Sequence, residues 1–216
     1  MSEVKVNKLS PRSGTTVTIG DSGDTINVVG TLQNNGSAVE VDSVTFKEGG
    51  TNFTNSLLVG TDTTGTLDAA TGNTGVGVGV FGALTTGDNN VAVGYVALDV
   101  NTTGEKNTAV GASALQKNTT GNKNAAVGYL ALYNNTTGAN NVAIGNDSLK
   151  ENTTASGNTG VGESALEVTT TGCCNTAVGN GALQANTTGD SNVAVGQAAL
   201  AFATTADNNT AVGRQA

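Results

Sequence analysis

The sequence predicts an all-β protein, most of which is a parallel β-solenoid of 17-residue coils, and three observations predict it. Val or Ile followed by Gly recurs every 17 residues without insertion or deletion, at Gly77, Gly94, Gly111, Gly128, Gly145, Gly162, Gly179, Gly196 and Gly213. An Asn stands four residues before each glycine, from Asn73 to Asn209. Turn residues separate the apolar ones, so each unit can stack on the previous one in the same register.

The composition predicts a thin core. Aromatic residues make up 3% of the 216 residues, Trp is absent, and glycine occupies 31 positions. Abundant Asn, Thr and Gly could indicate disorder, but a disordered segment does not keep an apolar column in phase over so many units. We therefore interpret the repeats as ordered.

The net charge and the N-terminal residues argue against several classes of function. The net charge is −8 and no Lys/Arg cluster occurs, which disfavours nucleic acid or an anionic membrane as the main partner. The first residues resemble no signal peptide, and no apolar run reaches the roughly 20 residues of a membrane span. We expect synthesis in a cytosol without general secretion. The adjacent Cys173 and Cys174 would form a strained disulfide, so free loop thiols are predicted.

Two apolar columns run along the array. One column is Val76, Val93, Val110, Val127, Ile144, Val161, Val178, Val195 and Val212. The other is Phe81, Leu98, Leu115, Leu132, Leu149, Leu166, Leu183 and Leu200. The residue before each Val or Ile is Ala or Gly, and it points to the opposite side of the strand from the Val or Ile. We therefore expect the Ala/Gly side to face close backbone and the Val/Ile side to face an aliphatic partner. Frequent Gly and Asn-Thr-Thr-Gly argue against helix, and two or three short strands per coil are expected.

The Asn and Thr columns have a structural interpretation. Asn tolerates left-handed backbone, and its amide can hydrogen-bond to the next Asn along the stack. The Thr-Thr-Gly segments, such as Thr102-Thr103-Gly104, are interpreted as turns with stacked β-branched residues. A threonine array could also bind ice or sugar. Adjacent threonines on a strand point to opposite sides, however, so no flat two-column threonine face follows.

Upstream of the clean array the pattern changes. Ser56-Leu57-Leu58-Val59-Gly60 has the phase of one degenerate coil, because Gly60 lies 17 residues before Gly77. Residues 16–20 and 25–29 are predicted strands around a turn, and β character continues at Val39, Val41, Val44 and Phe46. We predict two domains, a β-rich module over residues 1–55 and the repeat domain over 56–216.

A thin coil of this kind predicts self-association. Each coil contributes one Val or Ile, one Leu and a few alanines. Burying so little apolar surface is a modest gain, at about 25 cal/mol per Å², against a backbone entropy cost of about 1–2 kcal/mol per residue. With one apolar column inside and the other outside, three chains could bury the outer column around an axis. A homotrimer is therefore expected.

Two of the repeats carry a resemblance to a known family. Asn141-Val-Ala-Ile-Gly-Asn-Asp-Ser148 and Asn192-Val-Ala-Val-Gly-Gln-Ala-Ala199 resemble the repeat of the YadA-like heads of trimeric autotransporter adhesins. The resemblance covers residues 56–216 and implies a left-handed parallel β-roll in a trimeric adhesive head. The sequence has no signal peptide, heptad stalk or membrane barrel of that family, so a complete autotransporter is not expected.

The N-terminal segment resembles a different group. Residues 6–24, from Val6-Asn7-Lys8-Leu9-Ser10 to Asp24, look like the opening of fibre proteins of tailed phages, particularly those of marine bacteria and cyanobacteria. This implies a module that attaches a fibre to the particle, and synthesis in the host cytosol with release by lysis.

At the C-terminal end of the array the last copy of the repeat stops at Ala216. We expect the sheet edge there to be shielded by trimerisation or by another protein.

No catalytic, cofactor or metal residues are predicted. The chain has no His, which excludes His-based triads and His-ligated metals. Asp88, Asp190 and Asp207 recur in only three coils without a calcium β-roll signature, so solvated turn residues are favoured. The expectation is a non-enzymatic virion fibre protein of a tailed phage, active in host attachment. The alternatives are the head fragment of a bacterial surface adhesin and a polysaccharide-degrading tailspike.

Overall fold

The computed structural model describes residues 39–41, 44–48, 53–54, 56–60 and 69–216. The chain divides into two compact units, Met1–Gln33 and Asn34–Ala216, and the described residues all belong to the second. The strands are β1 (Val39–Val41), β2 (Val44–Glu48), β3 (Phe53–Thr54), β4 (Leu57–Gly60), β5 (Ala70–Thr71), β6 (Thr74–Val76), β7 (Val91–Val93), β8 (Thr108–Val110), β9 (Ala125–Val127), β10 (Val142–Ile144), β11 (Thr159–Val161), β12 (Thr176–Val178), β13 (Val193–Val195) and β14 (Thr210–Val212). The strands expected at residues 16–20 and 25–29 lie outside the described residues, and the domain boundary after residue 55 stays a prediction.

One sheet contains twelve of these strands, in the order β1-β2-β4-β6 and then consecutively to β14. The pairings of β1 with β2 and of β2 with β4 are antiparallel. From β4 onward all neighbours are parallel, and each residue pairs with the residue 17 positions later, as Ala109 does with Ala126. The predicted parallel solenoid of 17-residue coils is confirmed. The degenerate coil is confirmed too, because Val59 of β4 pairs with Val76 of β6.

Each full coil of the solenoid has one strand of three residues, not the two or three strands expected. The remainder of the coil still hydrogen-bonds to its neighbours through the backbone, as from the Leu98 N–H to the Ala114 carbonyl. Several residues per coil have positive φ, among them Val96 at 49° and Leu98 at 50°. Left-handed residues of this kind bend the chain and prevent a second pleated segment.

The core lies inside the coils and consists of three columns, the Leu column, the strand alanines and the alanines that precede the leucines, such as Ala114. The Leu column (with Phe81 in the first coil) is fully buried from Phe81 to Leu183, and so are the alanines of the strands, such as Ala109 and Ala126. A Cβ added to Gly75, at the alanine position, would lie 2.8 Å from Leu58 Cδ1 and 3.0 Å from the Phe81 ring. At Gly160, in the same column, an added Cβ would also lie 3.1 Å from the Ala165 carbonyl oxygen. The small side of the strand therefore faces both core side chains and the close backbone that was expected.

Glycine is required after each Val or Ile by close stacking of the coils. At Gly145, φ is +131° and an added Cβ would lie 2.5 Å from the carbonyl carbon and oxygen of Gly162 in the next coil. A Cβ atom at this distance would clash with the Gly162 backbone. The positive φ by itself also favours glycine. The regular glycine column thus marks the line along which the backbones of successive coils approach most closely.

Candidate functional site

The outer face of the long sheet is a regular surface that runs along the whole array of described coils. In each x-Ala-Val strand the alanine points inward, so the first and third residues share the outer face. The third residues form the Val/Ile column, of which Val76, Val127, Ile144, Val178, Val195 and Val212 are exposed and Val93, Val110 and Val161 half-buried. Of the two apolar columns, the Leu column is therefore internal and the Val/Ile column external.

The first residues of the strands complete this face. They are Leu57, Thr74, Val91, Thr108, Ala125, Val142, Thr159, Thr176, Val193 and Thr210. Ten parallel strands, β4 and β6 to β14, thus contribute two side chains each, and none of these side chains is charged. We call this two-column surface the Val/Ile face. A continuous uncharged surface of this kind is typical of interaction sites and uncommon on a monomer.

The Asn column before the strands has the structural role that the sequence predicted. Asn90 is buried, and its backbone N–H donates to Asn73 Oδ1 at 2.9 Å. Its Nδ2 donates to the Gly104 carbonyl at 2.9 Å, within the same coil. The backbone bond between successive Asn residues repeats in every coil up to Asn209. This column satisfies buried backbone groups, and its amides up to Asn192 are buried inside the stack, out of reach of a ligand in solution.

A second Asn column, in the Asn-Thr-Thr-Gly segments, is interrupted. Asn118 Nδ2 donates to Asn101 Oδ1 at 2.7 Å, and Asn135 and Asn152 continue the ladder. The column then carries Thr169 after Asn152, and Ala203 after Asn186. Neither residue has an amide N–H to donate to the Oδ1 of the preceding Asn. Oδ1 of Asn152 and of Asn186 is consequently buried without a hydrogen-bond partner. These unpaired atoms follow from breaks in the column and point into the stack, not into a site.

The paired threonines have different surroundings. Thr102 Oγ1 donates to the Thr119 carbonyl at 3.1 Å, and the first Thr of each pair repeats this bond up to Thr187. The second Thr of each pair is exposed. The two hydroxyls of a pair are thus not on one surface, and the flat two-column threonine face that ice binding would need does not form.

Asp88, Asp190 and Asp207 share one column and have a role that the sequence did not suggest. Asp88 Oδ1 accepts the backbone N–H of Thr71 at 2.7 Å, and Asp190 Oδ1 accepts that of Cys173 at 2.7 Å. Asn122 and Ser156 make the same bond where the column carries them. The sequence signal for this role is that Asp, Asn and Ser, the residues that make this bond in the column, all have a side-chain oxygen that can accept a hydrogen bond.

In the part of the chain that the structure describes, no group of three His, Cys, Asp or Glu could hold a metal ion.

Cys173 and Cys174 are free thiols in a turn, the first half-buried and the second exposed. The hydrogen bond between the two side chains raises the pKa of Cys173 to about 11, and burial and the Asp190 carboxylate act in the same direction. At neutral pH this thiol is therefore protonated and a poor nucleophile. The neighbouring Asp190 carboxylate disfavours the thiolate instead of stabilising it, which is consistent with a turn thiol rather than a catalytic one.

Comparisons with protein-family models, with curated proteins and with solved structures give no match. Among the described residues no helix has the length and apolarity needed to cross a membrane.

Proposed function

We propose that the chain is a non-enzymatic structural fibre or appendage protein of a tailed-phage virion, assembled as a homotrimer in the host cytoplasm and active in host attachment. Residues 1–55 attach it to other virion proteins of the tail or capsid, and the solenoid projects from the particle. The Val/Ile face is the observation that carries the proposal. The resemblances of residues 6–24 and of the repeats to phage fibres and adhesin heads support the virion role.

The chemistry of the Val/Ile face favours copies of the same chain as its partner. The face is uncharged and repeats at the coil spacing, so an identical face placed beside it can match it coil for coil. Val and Ile at about 40% exposure, such as Ile144 at 43%, still have apolar surface to bury. Three copies around one axis would bury all three faces and leave no such surface free.

Light scattering during size-exclusion chromatography tests the trimer. We expect three times the 21.2 kDa chain mass. Ile144→Asp places a charge on the Val/Ile face and should shift the protein to monomer, because burying an unpaired carboxylate costs several kcal/mol. Thr137→Asp adds the same charge at an exposed position away from that face and should remain trimeric. Circular dichroism should show that both variants are folded. A monomeric parent protein, or a trimeric Ile144→Asp variant, would contradict the proposal.

A separate experiment tests the virion role. Purified particles of the phage that encodes the chain should contain it, as detected by mass spectrometry of gel-separated virion proteins. An antibody against the solenoid should block adsorption to the host. Absence from particles together with presence on a bacterial surface would instead support the adhesin alternative. Depolymerisation of a host polysaccharide by the purified protein would support the tailspike alternative.

A further inference from the structure

Two exposed tyrosines stand in one column of the solenoid. Tyr95 and Tyr129 both follow a Val-Gly pair and are 62% and 54% exposed. No ring contact involves either of them in the described part of the chain, whereas Tyr133, elsewhere on the coil, has Lys117 Nζ 4.6 Å from its ring centre. These three are all the tyrosines of a chain that is poor in aromatic residues. Both rings of the column are therefore available to a ligand.

The rest of this column determines the shape of the surface. Ala112 stands between the two tyrosines, and its side chain is a single methyl group. Two coil steps of about 4.8 Å place the rings about 9.6 Å apart along the stack. Beyond Tyr129 the column becomes polar. Asn146 is exposed, accepts the Tyr129 backbone N–H with its Oδ1 at 3.3 Å, and has its Nδ2 without a partner among the described residues. Glu163 follows.

We propose that this column binds a linear polysaccharide of hexopyranose units that lies along the stacking direction. In an extended 1,4-linked chain every second sugar ring presents the same face, at a repeat close to two coil steps. The C–H groups of such a ring carry partial positive charge and suit the negative face of tyrosine. Tyr95 and Tyr129 would stack on alternate sugars, while Asn146 and Glu163 would hydrogen-bond to hydroxyls further along. The inference rests on the proposed attachment role and gives it a ligand class.

Charge favours a sugar over a nucleic acid. Nucleobases also stack on aromatic rings, but nucleic-acid sites pair the rings with a positively charged groove. This column contains one carboxylate, Glu163, and one cation, Arg214, so it forms no positively charged groove, and the chain carries a net charge of −8. The polar continuation at Asn146 and Glu163 also differs from the apolar centre of a protein interface.

The absence of Trp makes tyrosine fluorescence a direct probe of the site. In a Tyr133→Phe variant the only tyrosine fluorescence comes from Tyr95 and Tyr129. This variant is titrated with cellohexaose, chitohexaose and mannohexaose, and calorimetry measures the same binding independently. We expect saturable binding of at least one hexasaccharide. Tyr95→Ala and Tyr129→Ala should each weaken it at least about tenfold, whereas Tyr→Phe at either position should stay within about threefold because the ring is kept.

Gln197→Ala, in the same column four coils beyond Tyr129, is the matched control and should bind like the parent. The proposal is overturned if none of the three hexasaccharides binds, or if both alanine variants bind as tightly as the parent. Light scattering on the same samples separates the two proposals. A trimer that binds no sugar contradicts only the polysaccharide site, and a monomer that binds sugar contradicts only the trimer.

Discussion

At the scale of single residues, the coil carries backbone strain that its packing offsets. The buried Leu column lies in the left-handed region, for example Leu132 at φ 51°. This region costs an L-residue about 1–2 kcal/mol, whereas burial of a leucine side chain contributes about 1.5–3 kcal/mol. Glycine would relieve the strain but would empty the core. Burial therefore decides the residue type at this position, whereas at the Val-Gly position the close approach of successive coils decides it.

The glycine column can be tested with an internal control. Gly145→Ala should lower the free energy of unfolding by several kcal/mol, because its Cβ would lie 2.5 Å from Gly162 atoms. Gly213→Ala has a similar φ, +129°, but the nearest atom to its Cβ is 3.9 Å away. It should cost only about 1–2 kcal/mol of strain. Thermal and urea unfolding followed by circular dichroism measure both. Equal losses would show that the stacking contact is not the cause.

The thiol pair gives a prediction for pH dependence. The raised pKa of Cys173, about 11, means that its reactive thiolate is scarce below that pH. In a Cys174→Ser variant, which keeps a hydrogen-bonding neighbour and Asp190, the rate of iodoacetamide labelling of Cys173 should still rise with pH beyond 9. Asp190→Asn should move this profile to lower pH, because it removes a negative charge beside the thiol. A profile that levels off at pH 8 to 9 would contradict the interaction.

At the scale of elements, the two Asn columns act as side-chain ladders that continue the backbone pairing. The column from Asn73 to Asn209 is complete, and each member donates and accepts. The second column stops at Asn152 because Thr169 supplies no amide donor to it. A short three-residue strand provides few hydrogen bonds of its own, so these ladders are a substantial part of what holds one coil on the next.

Repair of the broken ladder should stabilise the protein. Thr169→Asn would place an amide donor within reach of Asn152 Oδ1 and an acceptor within reach of Asn186 Nδ2, as in the intact coils. We expect about 1–2 kcal/mol greater free energy of unfolding, because a buried acceptor gains its partner. Thr171→Asn, at the exposed position of the same segment, should leave stability unchanged within about 0.5 kcal/mol. Equal urea unfolding midpoints for Thr169→Asn and Thr171→Asn would contradict the prediction that the new Asn completes the ladder.

At the scale of the whole solenoid, stability depends on constant register rather than on any one coil. Deleting residues 141–157 removes one complete unit and brings Asn140 next to Asn158, which keeps all columns in phase. The shortened protein should fold and self-associate like the parent, with a somewhat lower melting temperature, since repeats contribute nearly additively.

Deleting residues 141–158 removes one residue more and is the control. The coil then has 16 residues, so the strand, the buried Leu and the glycine cannot all reach their neighbours at once. We expect a loss of cooperative unfolding, and aggregation. Circular dichroism and light scattering distinguish the two deletions. Similar behaviour of both proteins would mean that the coils tolerate a change of register.

The sequence by itself determined the solenoid, its coil length and its parallel register, because an uninterrupted 17-residue repeat allows only one way of stacking. It also indicated the Asn ladder, since Asn at a constant spacing along a stack can hydrogen-bond from one coil to the next. The single strand per coil was not predictable, because left-handed leucines such as Leu98 contradict residue preference.

Only the tertiary structure decided which apolar column lies inside. Val and Leu are equally apolar, and the bends between Gly111 and Leu115 determine the direction in which each points. That result placed an uncharged face outside and made it the candidate interaction site. The sequence places Tyr95 and Tyr129 in one column, because they are two repeats apart, but only the structure shows that both side chains are exposed. Residue periodicity therefore determines how the coils stack, and the path of the chain within one coil determines what the surface can bind.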